Sequence, residues 1–258
     1  MLNIFNKINT GLKIILLFRN WPNVLLGCVG LRHNEFYTLR NGVKYTLASN
    51  IDWIPILEIW SNRVYNPSGQ EVETGYIIVD IGAHIGVFSI FVAHQSADVR
   101  VISYEPHPYN FQLLRENVKL NDLSNIEPIP LAVNTKSGKG RLFINQIDLG
   151  HSLVKTQDNY IEVDCVTLEE ILSRIGRCDF MKMDCEGAEY DILFTTPHEY
   201  LKKINKMSVE CHDNYDGYVR SDFNVYKLKN FLERLGFRVE IAMKGKKQEI
   251  YLYARKIS

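Results

Sequence analysis

From Tyr76 onward the chain alternates short apolar runs with stretches of helical periodicity. Runs at 76–81, 99–104, 126–131, 179–183, 206–210, 237–242 and 249–254 read as strands, and stretches near 86–94, 107–120, 167–174, 188–194 and 223–235 read as helices. Such alternation implies a parallel sheet covered on both faces. Only Lys244-Gly245-Lys246-Lys247 separates the last two strands, too few residues for a parallel crossover, so these two pair antiparallel. The expected fold is α/β and Rossmann-like: a mostly parallel seven-stranded sheet with an antiparallel C-terminal strand. An insertion at 140–166 carries two short strands, Arg141–Asn145 and Ile161–Val166, expected on the rim of a site.

The first seventy residues follow other patterns. Residues 4–19 read as an amphipathic helix closed by Trp21-Pro22, and Glu35 to Leu47 alternates around Asn41-Gly42 as a type I′ hairpin. Asp52 is placed to cap a helix from Trp53 to Val64, which Asn66-Pro67 and Ser68-Gly69-Gln70 terminate. This divides the chain into an N-terminal helical and hairpin extension, 1–70, and a main domain, 71–258.

Composition narrows the class. The chain has 258 residues, with thirty basic residues balanced by thirty acidic ones, so no overall field favours nucleic acid. Five cysteines (Cys28, Cys165, Cys178, Cys185, Cys211) lack any C-x-x-C pair, which points to buried thiols in a reducing cytoplasm rather than zinc or disulfides. The apolar run Leu12–Phe18 is too short to span a bilayer and lacks a small-residue cleavage site. Packing on the domain is its preferred role, with peripheral membrane contact as the second reading.

The chemistry concentrates at strand ends, where open α/β sheets bind ligands. Asp80-Ile81-Gly82-Ala83-His84-Ile85-Gly86 lacks the middle glycine of a dinucleotide loop, and an acid ahead of the first glycine suits a cationic amino group. The loop leans toward S-adenosylmethionine (SAM), with Asp80, Gly82, Ala83, His84 and Gly86 as candidate contacts. Glu105, followed by Pro106, stands one βαβ unit later, where a carboxylate can accept both ribose hydroxyls; alone it would read as a solvated charge. The fourth strand ends in Lys182, Asp184, Glu186 and Glu189, charges that are costly to place without a role, although helix capping accounts for Glu186 or Glu189. Glu210 and His212 alternate to one side of the fifth strand end.

Together, D-x-G-A-x-x-G, E-P-x-P-x-N-(F/Y), M-K-x-D-x-E-G-A-E and E-x-H resemble the FkbM family of class I SAM-dependent methyltransferases, over roughly residues 36–255. The resemblance implies that Asp80, Gly82, Ala83 and Gly86 line the methionine moiety and Glu105 the ribose. It gives Asn110 a packing or capping role and makes Glu58, in the family's lead-in, a candidate contact on the cofactor side. It also implies methyl transfer to hydroxyls of sugars, glycans, lipids or polyketide-type molecules. Cys185 departs from the usual aliphatic residue.

The expected base is His212 or Asp184, oriented by Glu186, Glu210 or Lys182. A second version places magnesium or manganese on Asp184, Glu210 and His212. Two rival classes are a NAD-type oxidoreductase, disfavoured by the loop spacing, and a non-catalytic SAM-fold partner subunit. Polar and aromatic residues at His151-Ser152 and at 213–220 are candidates for the acceptor's rim.

Overall fold

The computed structural model describes residues 2–31, 36–49, 51–144, 159–215, 218–219, 224–244 and 249–257. In chain order the elements are α1 (Leu2–Leu17), α2 (Trp21–Cys28), β1 (Phe36–Thr38), β2 (Lys44–Thr46), α3 (Trp53–Trp60), β3 (Ile77–Ile81), α4 (Val87–Gln95), β4 (Arg100–Tyr104) and α5 (Pro108–Leu120). They continue with β5 (Ile126–Ile129), β6 (Ala132–Asn134), β7 (Gly138–Phe143), β8 (Tyr160–Thr167), α6 (Leu168–Ile175), β9 (Cys178–Met183), α7 (Glu189–Thr195) and α8 (His198–Leu201). The last are β10 (Ile204–Cys211), β11 (Asn214–Tyr215), β12 (Tyr218–Val219), α9 (Val225–Arg234), β13 (Phe237–Lys244) and β14 (Glu249–Lys256).

Seven strands form the main sheet in the order β13-β14-β10-β9-β3-β4-β5. β14 runs antiparallel to both β10 and β13, and the other neighbours are parallel. The lone antiparallel strand thus lies between β10 and β13, not at an edge. β9 is buried along its whole length and β3 along all but its first residue, as strands covered on both faces require. The expected insertion strands are β7 and β8, which join β6 in a three-stranded sheet ordered β6-β8-β7.

Local chemistry sets the helix ends. Thr167 and Glu170 form a reciprocal capping box at the start of α6, with Arg174 in its last turn and Gly176 beyond it. Four sequence expectations for the N-terminal region fail for identifiable reasons. Pro22 does not end the first helix; it occupies the first turn of a second one, where no backbone N–H is needed. The hairpin turn is not type I′: Gly42 has φ +93° and donates to the Leu39 carbonyl, whereas Asn41 is not among the residues with positive φ. The turn is instead a three-residue loop with glycine at the left-handed position. Asp52 does not cap α3; its carboxylate accepts from the backbone of Ala48 and Ser49 and closes the preceding turn. The helix itself ends at Trp60 rather than Val64.

The N-terminal elements share a core with one face of the sheet. Ile14, Phe18, Tyr37, Tyr45 and Ile56 pack in one apolar cluster with Phe88, Phe91, Phe180 and Tyr251. Phe88 stacks on Phe180 at 5.8 Å, and Tyr65 meets Phe88 edge-on at 5.8 Å. Among the described residues no helix is long and apolar enough to cross a membrane. Cys165, Cys178 and Cys211 are buried, but Cys28 is exposed, contrary to the expectation of buried thiols throughout.

Candidate active site

After β3 the chain builds outward through β4 and β5, then crosses to β9 and β10 on the other side. A crevice therefore opens at the carboxyl ends of β3 and β9. The glycine loop fills its floor. Gly82, His84 and Gly86 all have positive φ, at +74°, +52° and +88°. A Cβ on Gly82 would lie 1.8 Å from the Asp184 carbonyl oxygen, and one on Gly86 would lie 2.5 Å from Leu114 Cδ1. Glycine is required at 82 by contact with backbone, not by conformation alone.

Glu105 ties this loop to the next. Its two oxygens accept separately from the backbone N–H of His84 (2.8 Å) and His107 (2.9 Å), so each keeps a lone pair. Burial pushes its carboxyl up to about 7, partly offset by those N–H donors. A buried carboxylate with one free lone pair per oxygen fits a ribose diol, and the glycine cradle fits a ligand lying against backbone. Ala83 is buried under the loop, and Pro106 is half-buried at the strand end. Asp80 differs from expectation. It is wholly enclosed, with Oδ2 accepting from Ser89 Oγ (2.6 Å) and Oδ1 3.3 Å from Lys182 Nζ. It supports the loop from beneath, and the cationic amino group it meets is that of Lys182.

Lys182, facing Asp80 across β3 and β9, organises the floor. Its ammonium donates to the Gly82 carbonyl (2.6 Å), lies 3.8 Å from Asp184 Oδ2, and sits 5.2 Å above the Tyr65 ring. Burial alone would lower its pKa, but Asp80 and Asp184 outweigh that and raise it, so the charge persists.

The remaining acids converge on the mouth of the crevice. The Tyr65 hydroxyl lies 2.8 Å from Asp184 Oδ2 and 2.6 Å from Glu210 Oε2. A phenol has one proton, so it serves only one of two ionised carboxylates. Burial, then Asp184, raises the Glu210 carboxyl to about 7. His212 stands between two acids, with Nδ1 3.0 Å from Glu189 Oε1 and Nε2 3.3 Å from Glu186 Oε2. Burial opposes its charge, but Glu189 and Glu186 hold its pKa well above the usual histidine range. Glu189 is fully buried and also accepts from the Cys185 and Gly187 backbone, which fixes the turn carrying Glu186. Glu186 has φ +54°, a strained backbone setting for a side chain, and burial raises its carboxyl to about 8.

All five candidates for the chemistry, Lys182, Asp184, Glu186, Glu210 and His212, thus meet in one place. Asp184, Glu210 and His212 each offer a ligand atom within 4.8 Å of the others, and Asp184 Oδ1 is buried without a hydrogen-bond partner. Glu58 joins them from α3: burial, then Glu249, Glu210 and Asp184, raise it to about 8, so it faces the acid cluster. Sequence reasoning missed Tyr65 as a site residue and gave Glu189 only a capping role. Asn110 is buried within α5, in keeping with packing. Of the expected rim, His151 and Ser152, like Asp216 and Arg220, lie outside the described residues. Asp213 binds the Tyr190 hydroxyl and the Val225 N–H, which gives it an anchoring role at the start of α9.

The family model of the FkbM methyltransferase domain matches residues 80–239. The chain belongs to this family. It is therefore a SAM-dependent methyltransferase, and the oxidoreductase reading falls. Methyltransferase 1 of Beauveria bassiana is 24% identical over 188 residues, covering 64% of this chain and 73% of that protein. The 31-O-demethyl-FK506 methyltransferase FkbM of Streptomyces tacrolimicus is 23% identical over 189 residues, 60% and 73% of the respective chains. The crystal structure of M. jannaschii TYW2 in complex with AdoMet resembles this FkbM-family chain with a TM-score of 0.50 at 19% identity. That likeness covers 88% of this chain and 90% of TYW2, and it bears on the fold alone.

Proposed function

We propose that this FkbM-family methyltransferase transfers a methyl group from SAM to a hydroxyl of a sugar, glycan or related small-molecule acceptor. The observation that carries the reading is the Asp184–Glu210 pair, bridged by the Tyr65 hydroxyl beside the glycine loop. SAM supplies a methyl group already activated by a positive sulfur. The chain must hold donor and acceptor in line, worth ~7–11 kcal/mol, and take the hydroxyl proton, worth about 10²–10⁴-fold. Gly82, Gly86 and Glu105 hold the donor. Asp184 and Glu210 share the proton acceptor's task. His212, kept protonated by Glu189 and Glu186, orients and balances these carboxylates but has no lone pair free to act as the base. The name of the Streptomyces relative, an O-demethyl substrate's methyltransferase, is in keeping with an oxygen acceptor. Incubation with methyl-labelled SAM and a panel of glycosides tests the reading; label on nitrogen or carbon instead of oxygen refutes it.

A carboxylate that titrates near neutrality leaves a mark on the rate. Glu210 must be ionised to accept a proton, so kcat should rise with pH through a midpoint near about 7. The Tyr65 hydrogen bond lowers the Glu210 pKa, so Tyr65→Phe should move that midpoint upward. Steady-state kinetics from pH 5.5 to 9, roughly the span over which such a group titrates, checks both.

The orphaned Asp184 Oδ1 supports a second reading, a divalent cation on Asp184, Glu210 and His212. Glu189 at Nδ1 is the outer partner such a histidine ligand uses, provided Nε2 gives up its proton and its contact with Glu186 to the cation, and oxygen-rich donors suit magnesium or manganese. These residues fit a cation that would make the acceptor hydroxyl more acidic. Dialysis against EDTA decides: transfer that is lost and then restored by magnesium or manganese assigns the cation, and unchanged transfer assigns carboxylate catalysis.

A further inference from the structure

The first 36 residues contain four basic residues, Lys7, Lys13, Arg19 and Arg32, and one acidic one, Glu35, although the whole chain is balanced at thirty of each. The same segment concentrates exposed apolar side chains. Of thirteen large hydrophobic residues exposed among the described residues, seven lie between positions 8 and 36. In α1, Ile8, Leu12 and Leu16 recur every fourth residue, 57%, 53% and 72% exposed, and so form one stripe along the helix. The opposite face buries Ile14, with Phe18 following in the core. α2 and the residues after it continue the patch with Leu26, Val29 and Leu31. A helix that needed only to pack on the domain would turn polar residues outward. This one is apolar on both faces, with a half-buried Lys13 in the helix and an exposed Arg19 two residues past its end.

We propose that this face docks on an anionic lipid bilayer, with α1 lying in the interface. The charges select that occupant. A twofold contact between two copies would bring this net positive segment against itself, whereas an anionic surface complements it. An exposed apolar stripe on a helix with basic residues in and just after it, too short to span, is the physical form of an interfacial helix. Lys13 also donates to Asn62, just past α3, and α3 carries Glu58 to the acid cluster. Docking therefore brings lipid within one helix of the crevice.

Co-sedimentation of the full chain with vesicles of phosphatidylcholine alone, or of phosphatidylcholine mixed with phosphatidylglycerol, tests this. Partition is expected onto the mixed vesicles and to weaken as salt rises. Leu12→Glu/Leu16→Glu, and separately Val29→Glu/Leu31→Glu, should each lower partition by at least about tenfold while the thermal shift given by SAM is unchanged. The second variant lies beyond α1 and keeps the test open if the first does not fold. Failure of the wild-type chain to bind mixed vesicles overturns the proposal, as does equal binding by the variants. Self-association that these substitutions abolish, without vesicle binding, gives the face to a second copy and also overturns it.

Discussion

Replacing Asp184 by asparagine is expected to lower kcat by about 10²–10⁴-fold while the dissociation constant of SAM stays within about twofold. The amide keeps the shape of the carboxylate but takes no proton. Asp184 Oδ2 receives the Tyr65 hydroxyl and faces Lys182, and its Oδ1 is the buried atom without a hydrogen-bond partner. Lys182 retains Asp80 and the Gly82 carbonyl, so the glycine loop stays in place when Asp184 is changed. Glu210→Gln should cost less, because Asp184 remains beside the acceptor. Single-turnover transfer and calorimetric SAM titration separate the two quantities. A loss of SAM affinity as large as the loss of rate would move Asp184 from the chemistry to cofactor binding.

The second large effect concerns one methyl group. Gly82→Ala places a Cβ 1.8 Å from the Asp184 carbonyl oxygen, and both partners are backbone of adjoining strand ends. Nothing flexible gives way, so the loop and the β9 turn must separate, carrying Asp184 with them. SAM affinity should fall by about 100-fold or more and stability by more than ~3 kcal/mol. Gly138→Ala provides the contrast. Its φ is +109°, but nothing lies within 4 Å of the added carbon. That variant should lose only the backbone strain, on the order of 1–3 kcal/mol, and keep SAM binding intact. Thermal denaturation with and without SAM distinguishes them; equal behaviour of the two variants would mean that the close approach at Gly82 does not hold in solution.

Much of the frame is written locally in the sequence. A strand covered on both faces is mostly apolar, so β3, β4 and β9 announce themselves, and the glycine spacing marks the cofactor loop. The insertion of β14 between β10 and β13 leaves no such mark, because neighbours within a sheet are chosen over long range. Lys182 carried a signal read only in part. A cation inside an apolar strand needs an anion across the sheet, and its register partner is Asp80. That pairing turns Asp80 from a ligand contact into a support. Tyr65 was out of reach for another reason. It lies 119 residues from Asp184 and 145 from Glu210, and an aromatic residue near a helix end is ordinary core in any local pattern.

The placement of Tyr65 bears on how such enzymes can be cut and recombined. The family match starts at residue 80, yet the phenol that bridges the two carboxylates comes from residue 65 and the acid on α3 from residue 58. Ser208 of β10 holds the Tyr65 backbone carbonyl, and Tyr253 of β14 holds that of Val64, so this lead-in is bonded to the far half of the sheet. A fragment trimmed to the matched region would lose Glu58 and Tyr65 from the acid cluster, and with them the start of β3 and the whole of β14. Grafting another lead-in onto this sheet would exchange residues of the acid cluster, not a mere appendage.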